Sequence, residues 1–406
     1  MAYSLFEVYG VEMEYMIVDQ TTLSVKAVAD ELLRKMAGQY VGDYENGTID
    51  WSNELVNHVL EIKTHKPAAS LSGLEKHFHA NVLEINKQLE SLGAMLLPTG
   101  AHPLMDPFTE TRLWEHESKD IYNLYNRIFD CRGHGWSNLQ STHINLPFAG
   151  DDEFKQLHAA IRLLLPIIPA LSASTPLLDG KSTGYLDTRL ETYRHNQKKI
   201  PVIAGKVIPE PVFSKQAYYD QIFYPISKAI APYDTEGVLD KHFLNSRGAI
   251  ARFDRGAIEI RIIDIQECPL ADIAILSIIK ECLMALVNQE WAGLEEQTGW
   301  SEDSLASIFL AVIKNGENTI IDNKQYLQLF GLQEASLSAG ELWQHLLEKV
   351  TDRIDAPYKA VINTILQRGT LSTRILASLN HDYRPEAIRE VYRQLSHSLV
   401  TNQQFI

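Results

Sequence analysis

Residues 10–19 read GVEMEYMIVD, and apolar and acidic side chains alternate along this stretch. Val11 and Met13 fall on one side of a two-residue period, whereas Glu12 and Glu14 fall on the other. Because successive side chains of a β-strand point to opposite faces, this period predicts a strand with one apolar and one acidic face. The two carboxylates would lie roughly 7 Å apart, where like charges repel each other.

Three later stretches repeat this division into an apolar and a polar face. In VLEIKT, Glu61 lies between apolar residues and follows Glu54 by seven positions. STHINL contains His143, and AIEIRII contains Glu259 and Arg261. If the four strands join one antiparallel sheet, helices cover the apolar face. The opposite face then forms an acidic floor.

This floor would carry five carboxylates and one imidazole, those of Glu12, Glu14, Glu54, Glu61, Glu259 and His143. Such a group cannot stay fully ionised without cations. Hard divalent cations prefer oxygen ligands with an occasional imidazole, which favours Mg²⁺ or Mn²⁺ over a structural zinc ion. Because Mg²⁺ commonly bridges carboxylates and phosphates, the floor predicts a phosphate-containing ligand. A polar face is also typical of any half-solvated antiparallel sheet, and the pattern alone leaves both interpretations open.

Composition and net charge limit the classes of protein to which the chain can belong. The chain has 406 residues, of which 45% are hydrophobic and 22% charged, as in ordinary globular domains. A net charge of −15 argues against nucleic-acid binding and against anionic membranes. The stretch MAYSLFEVYG lacks the basic and apolar segments of a signal peptide, and no membrane helix is predicted. We therefore expect a soluble cytoplasmic protein with small-molecule substrates; homo-oligomerisation stays open.

Strand patterns dominate the first part of the chain and helical patterns the last quarter. Strands early and helices late predict an α+β protein. We expect a catalytic domain in residues 1–290 and a helical C-terminal subdomain or appendage in residues 291–406.

Two helix starts carry the spacing of a capping box, in which a serine and a glutamate three residues later cap the first turn. One is Ser72 with Glu75, and the other is Ser338 with Glu341.

Six short motifs follow one another along the chain in the order GVEMEY, NELVNHVLEIKT, GAHPLMDP, STHINLPF, GYLDTR and GAIEIRIIDIQECPLADIAI. In this order they resemble the glutamate–cysteine ligase type 2 and carboxylate–amine ligase family. GVEMEY resembles its G-x-E-x-E opening, NELVNHVLEIKT its strand with glutamates seven residues apart, and GAHPLMDP its G-x-H-P turn. STHINLPF resembles its histidine-bearing strand, GYLDTR its arginine-bearing loop, and GAIEIRIIDIQECPLADIAI its E-x-R strand with the helix after it. The chain departs from the family in having His143-x-Asn145 where many members have H-x-H. The loop after Arg189 also lacks a tryptophan-rich form.

The resemblance implies a glutamine-synthetase-like fold, a curved antiparallel sheet with helices on its outer face. It implies that ATP activates the γ-carboxylate of glutamate as an acyl phosphate, which then joins an amine such as cysteine, a reaction of glutathione biosynthesis. By motif position, the six floor residues would hold the divalent ions, and Arg261 and Arg189 would neutralise phosphate or carboxylate charge. Three further arginines are candidates for binding the nucleotide, Arg247, Arg252 and Arg255.

Two other functions stay open on the same residues. A different metal-dependent enzyme on this fold, such as a phosphoryl transferase, would use the floor without a ligation step. A non-catalytic relative would bind a nucleotide or an amino acid without turnover, although an intact set of six ligand-type residues argues against it.

Overall fold

The computed structural model describes residues 3–406. Its strands are β1 (Gly10–Asp19), β2 (Asp43–Tyr44), β3 (Ile49–Asn53), β4 (Val59–Thr64), β5 (Ala94–Leu97), β6 (Ser141–Pro147), β7 (Leu177–Leu178), β8 (Lys181–Ser182), β9 (Ala249–Arg252), β10 (Ala257–Asp264), β11 (Ile320–Ile321) and β12 (Leu337–Ser338). Eight of the strands in this described range form one antiparallel sheet in the order β2-β3-β4-β1-β6-β10-β9, and β5 pairs with the end of β1. The strands β7 with β8 and β11 with β12 form two separate hairpins.

Helices connect and cover these strands. They are α1 (Ala29–Ala37), α2 (Leu74–Glu90), α3 (Pro107–Glu110), α4 (Lys119–Phe129), α5 (His134–Ser137), α6 (Gly150–Leu164), α7 (Pro169–Ser172), α8 (Thr188–Tyr193), α9 (Lys215–Tyr218), α10 (Tyr224–Ile230), α11 (Lys241–Leu244), α12 (Pro269–Val287), α13 (Leu294–Thr298), α14 (Glu302–Asn315), α15 (Lys324–Gln328), α16 (Ala339–Val350), α17 (Ala356–Arg368), α18 (Leu371–Leu379) and α19 (Pro385–Thr401). Within residues 3–406, none of these helices has both the length and the apolar character needed to span a bilayer.

The two faces of the sheet differ as the alternation predicts. Val11, Met13 and Tyr15 are buried on one face, in a core that also contains Phe78 and Val82 of α2. The long helix α12 packs against α2 and α6 behind the sheet. The α+β class and the antiparallel sheet are therefore confirmed.

The register of β1 sets which side chains meet on the other face. Glu12 pairs with Lys63 of β4 on one side and with His143 of β6 on the other. Glu14 pairs with Glu61 of β4. The central strand thus carries one glutamate between two basic neighbours and one glutamate beside another acid.

Of the two predicted capping boxes, only one forms within residues 3–406. Ser338 and Glu341 exchange both hydrogen bonds at the start of α16, at 2.8 and 3.2 Å, which confirms that prediction. The prediction for Ser72 and Glu75 is wrong because Gly73 takes the N-cap position of α2 with a φ of +85°. Glu75 instead accepts a hydrogen bond from the Tyr358 hydroxyl of α17.

The last part of the chain is mainly helical and contains α13 to α19. Its apolar side chains, among them Phe309, Leu342 and Leu399, belong to the same hydrophobic cluster as those of the sheet. A buried ion pair between Arg374 of α18 and Glu267, with an N–O distance of 2.6 Å, adds a polar link. The division of the chain near residue 290 stays a prediction.

Candidate active site

A cavity of about 750 Å³ lies over the polar face of the sheet. Strands β1, β4, β6 and β10 and the end of β3 supply its floor. All six residues predicted from the alternating strands line it, Glu12, Glu14, Glu54, Glu61, His143 and Glu259. The fold therefore brings these residues together, and their role as metal ligands stays a prediction.

His143 occupies the centre of this acidic floor. Its Nδ1 lies 3.1 Å from Glu12 Oε2 and 3.6 Å from Glu259 Oε1, and its Nε2 lies 3.8 Å from Glu14 Oε1. Two sets of side chains bring their ligand atoms within 4.8 Å of one another. The first set is Glu12, His143 and Glu259, and the second is Glu14, Glu61 and His143. Glu54, also among the described residues, lies outside both sets.

The charged neighbours of each carboxylate set its protonation. Burial alone would raise the pKa of Glu12, but the hydrogen bond and charge of His143, with the charges of Arg261 and Lys63, lower it to about 2. Burial, followed by the charge of Glu12, raises the pKa of Glu61 to about 7.

The pKa values of two more groups on the floor are raised. Burial and then the charges of Glu14 and Glu61 hold the pKa of Glu54 well above its ordinary value. Burial would lower the pKa of His143, but its hydrogen bond to Glu12 and the surrounding carboxylates raise it instead. The floor thus favours protons where no other cation is bound.

Neutral hydrogen-bond donors hold two of the carboxylates in place. The Ser141 backbone N–H and hydroxyl donate to Glu14 Oε2 at 2.7 and 2.9 Å. Asn145 Nδ2 donates to Glu12 Oε1 at 2.9 Å. Ser141 has no role in the sequence prediction, although its place two residues before His143 puts it on the same strand face.

The two arginines predicted to take part in the reaction both line the cavity. Arg261 lies on β10 and donates through Nε to Glu259 Oε1 at 3.1 Å. Arg189 lies at the start of α8, where Asp264 accepts a hydrogen bond from its Nε.

The three candidate nucleotide-binding arginines have different surroundings. Arg252 and Arg255 line the cavity near Asp254, and the Arg255 side chain is 63% exposed. Of the described residues, Arg247 is not part of the cavity wall. Its guanidinium is instead paired with Glu210 and donates to backbone carbonyls at 202 and 203, which fits a structural role.

An aromatic wall, which the sequence analysis missed, faces this polar floor. It consists of Tyr122, Tyr125, Trp136 and Phe243, which all line the cavity. The Tyr125 ring centroid lies 5.6 Å from that of Trp136 and 5.7 Å from that of Phe243. The i, i+3 spacing of Tyr122 and Tyr125 on α4 was the available signal, since such residues share one helix face.

Comparison with known proteins assigns the chain to a family. The model of glutamate–cysteine ligase family 2 matches residues 8–306, which is most of the chain and includes every residue of the floor. The chain belongs to glutamate–cysteine ligase family 2.

Relatives of this family member differ in how much of it they match. An uncharacterised protein of Archaeoglobus fulgidus is 32% identical over 98% of this chain and 100% of its own length. A putative glutamate–cysteine ligase 2 of Salinispora tropica is 25% identical over 66% of this chain and 62% of its own length. The family match supports a carboxylate–amine ligase.

A solved structure confirms the fold of this family member. The glutamate–cysteine ligase of Francisella tularensis, solved in complex with AMP, aligns with a TM-score of 0.62 at 12% sequence identity. The alignment covers 99% of this chain and 90% of that protein. The fold implied by the resemblance of the short motifs is therefore confirmed.

The floor of this family member has the chemistry of a site for hard divalent cations. Its donors are carboxylate oxygens and one imidazole, the ligands that suit Mg²⁺ and Mn²⁺. Burial and then the charges of neighbouring carboxylates raise the pKa values of Glu54 and Glu61. A divalent cation would offset the repulsion among these carboxylates, so the residues present fit such an ion.

Proposed function

We propose that this protein uses ATP to activate the γ-carboxylate of glutamate and then joins it to an amine, with cysteine as the first candidate. The observation that carries the proposal is the acidic floor, which brings six ligand-type side chains into one cavity with Arg189 and Arg261. Family membership gives the reaction class, and the floor gives the groups that such a reaction needs.

The first step joins two anions, the carboxylate of glutamate and the triphosphate of ATP. Phosphoryl transfer therefore depends on positioning and on neutralisation of charge more than on covalent help from the protein. A carboxylate oxygen attacks the γ-phosphorus of ATP. The bond between the γ-phosphorus and the β–γ bridging oxygen breaks, and ADP leaves. The amine nitrogen then attacks the carbonyl carbon of the acyl phosphate, and inorganic phosphate leaves as the amide forms.

The floor residues would hold divalent cations, with Glu12, His143 and Glu259 in one set and Glu14, Glu61 and His143 in the other. Such ions supply charge neutralisation for phosphate oxygens. The protein itself contributes orientation: Ser141 and Asn145 fix the carboxylates by hydrogen bonds.

The arginines add positive charge at the wall of the cavity. Arg261 lies beside the floor, where its planar guanidinium suits a carboxylate or a phosphate oxygen. Arg252 and Arg255 lie at the same cavity and suit the outer phosphates of the nucleotide. The aromatic wall offers apolar surface to the nucleobase or to the substituent of the amine.

Hydroxylamine tests the activation of the carboxylate separately from the identity of the amine, because it captures an acyl phosphate as a hydroxamate. We expect purified protein with ATP, Mg²⁺ and glutamate to form γ-glutamyl hydroxamate and ADP in equal amounts. Glu12→Gln protein should form neither product, whereas Glu45→Gln, which removes an exposed acid outside the cavity, should match the unaltered protein.

The outcomes separate the proposed function from its alternatives. A panel of amines in place of hydroxylamine would identify the second substrate through amine-dependent phosphate release. ADP release without hydroxamate would indicate another phosphoryl transferase and contradict the ligase. Nucleotide binding without any turnover across a panel of carboxylates would indicate a non-catalytic relative.

A further inference from the structure

A buried carboxylate outside the acidic floor holds one of the cavity arginines. Asp264, the last residue of β10, is fully buried. Its Oδ2 accepts hydrogen bonds from the Ser174 backbone N–H and the Thr175 hydroxyl, both at 2.9 Å, and from the Ser174 hydroxyl at 3.3 Å. Its Oδ1 accepts from Arg189 Nε. The two hydrogen bonds of 2.9 Å on one oxygen fix the direction in which the other oxygen meets the guanidinium.

A β-bulge turns Asp264 toward the cavity side of the sheet. Ile260 pairs with Ile144, but Ile263 pairs with Thr142, so β10 contains one extra residue between these pairs. Asp264 consequently lies opposite Ser141, on the face that carries the acidic floor. Strict alternation would have placed it on the apolar face.

Gly100 leaves the space that Asp264 needs. A Cβ atom at this position would lie 2.8 Å from Asp264 Cγ, closer than non-bonded carbon atoms approach each other. The Gly100 N–H also donates to the Ser174 hydroxyl at 2.8 Å, which ties the loop after β5 to the same network. The glycine of the GAHP motif is thus part of the support of Asp264.

Arg189 is fixed at both ends while most of its donors stay unused. Its backbone N–H donates to the Thr175 hydroxyl at 3.0 Å, and its side chain is 2% exposed. Within residues 3–406, the guanidinium forms one hydrogen bond, through Nε, and its buried Nη2 has no partner. A guanidinium carries five N–H donors, and a buried donor without a partner is costly. Because Arg189 lines the cavity, a ligand oxygen there can satisfy the remaining donors.

A second buried acid next to this pair does not compete for the guanidinium. Asp187 caps α8, and its Oδ1 accepts from the Leu190 N–H at 2.8 Å. Burial and then the charge of Asp264 hold the pKa of Asp187 well above its ordinary value. The hydrogen bond of Arg189 Nε goes to Asp264, which is therefore the acid that orients the guanidinium.

We propose that Asp264 is a positioning residue of the ligase, which holds the Arg189 guanidinium so that its free N–H groups bind an oxyanion of a substrate. The oxyanion is either the carboxylate of the amino acid or a phosphate of the nucleotide. The proposal rests on the proposed function for the identity of the substrates. Its geometric basis is the network of Ser174, Thr175 and Gly100 around Asp264.

The test compares Asp264→Asn, Arg189→Gln and the double variant, with Asp272→Asn as a matched control. An amide at 264 accepts hydrogen bonds on one side only, so it cannot hold Arg189 and the Thr175 hydroxyl together. Asp272 is another fully buried acid, but it bonds Thr142 and the Gln266 N–H on the opposite side of the sheet. Calorimetric titration with glutamate and with ADP, together with the KM for each substrate, would be measured for folded protein.

We expect Asp264→Asn to raise the dissociation constant and the KM of either glutamate or the nucleotide by about tenfold or more. Loss of a charge-assisted hydrogen bond has an effect of this size. Arg189→Gln should raise the same constant, and the double variant should match Arg189→Gln. The constant that rises identifies the oxyanion. Asp272→Asn should leave both constants unchanged.

Two results would overturn the positioning role. Unchanged constants in Asp264→Asn, with only its melting temperature lowered, would leave Asp264 a purely structural residue. An added effect of Asp264→Asn in the Arg189→Gln background would show that it does not act through Arg189. If Asp264→Asn fails to fold, Thr175→Val removes a hydroxyl of the same network without removing a charge, and the same constant should rise by a smaller factor.

The binding constants also separate this proposal from the proposed function. If the unaltered protein forms no hydroxamate but binds glutamate or ADP, the ligase assignment fails while the effect of Asp264 on that binding still decides its role. If it binds neither ligand, both proposals are overturned.

Discussion

Single carboxylates on the floor differ in pKa because their burial and their charged neighbours differ. Glu12 lies between Lys63 and His143, and its pKa falls to about 2. Glu61 lies opposite Glu14, and its pKa rises to about 7, with burial and then the charge of Glu12 as the causes. Burial and the neighbours that strand register provides thus make two carboxylates of the floor chemically unequal.

Binding of Mn²⁺ should follow the grouping of the floor residues. We expect Glu12→Gln to weaken Mn²⁺ binding by at least about tenfold, because it removes a charged ligand from one of the two sets. Glu54→Gln should weaken it less, because Glu54 lies outside both sets. Calorimetric titration with Mn²⁺ measures both effects, and a larger loss in Glu54→Gln than in Glu12→Gln would contradict the grouping.

A buried acid behind the sheet should make stability fall as pH rises. Burial raises the pKa of Asp272 from 3.8 to about 8, so the folded protein keeps a proton that the unfolded chain has lost between these values. The free energy of unfolding should therefore decline from pH 5 to pH 8, by at most about 4 kcal/mol from this group. Urea unfolding of Asp272→Asn, which cannot titrate, should show a smaller decline; parallel pH curves for the two proteins would contradict the assignment.

At the level of elements, helix starts show how far local sequence decides local structure. The serine and glutamate of α16 form the capping box that their spacing predicts. The same spacing fails at α2, where Gly73 begins the helix one residue later and Tyr358 binds the glutamate. A contact from a helix almost three hundred residues away therefore overrides the local motif.

The two serines should respond differently to replacement by alanine. Ser338→Ala should lower the free energy of unfolding by about 1 kcal/mol, because the N–H of Glu341 loses its acceptor. Ser72→Ala should change it by less than about 0.5 kcal/mol, as at an ordinary surface position. Urea unfolding measures both values, and equal losses in the two variants would mean that α2 uses Ser72 as a cap.

For the whole molecule, the helical C-terminal part is joined to the sheet by a common core and by the pair of Arg374 and Glu267. The Arg374 guanidinium also donates to the Phe405 carbonyl. Arg374 thus links α18 to the loop between β10 and α12 and to the final residues. Because Glu267 is fully buried, loss of its partner leaves a charge without compensation.

Arg374→Ala should therefore destabilise the entire protein by about 3–5 kcal/mol. The exposed pair of Arg384 with Asp382 provides the matched control, since Arg384→Ala should cost less than about 1 kcal/mol. Calorimetry should show one unfolding transition in each protein. A separate transition for part of the chain in Arg374→Ala would indicate that residues 291–406 unfold as a subdomain of their own.

The sequence by itself determined the four strands that carry the floor and the sidedness of the sheet, because a two-residue period must place alternate side chains on opposite faces. Tertiary structure decided the rest. Arg247, equal to Arg252 by sequence, turns away to Glu210, and Asp264 reaches the cavity face only through the bulge between Ile260 and Ile263. Partners from distant parts of the chain set these positions, and neither periodicity nor motif spacing contains that information.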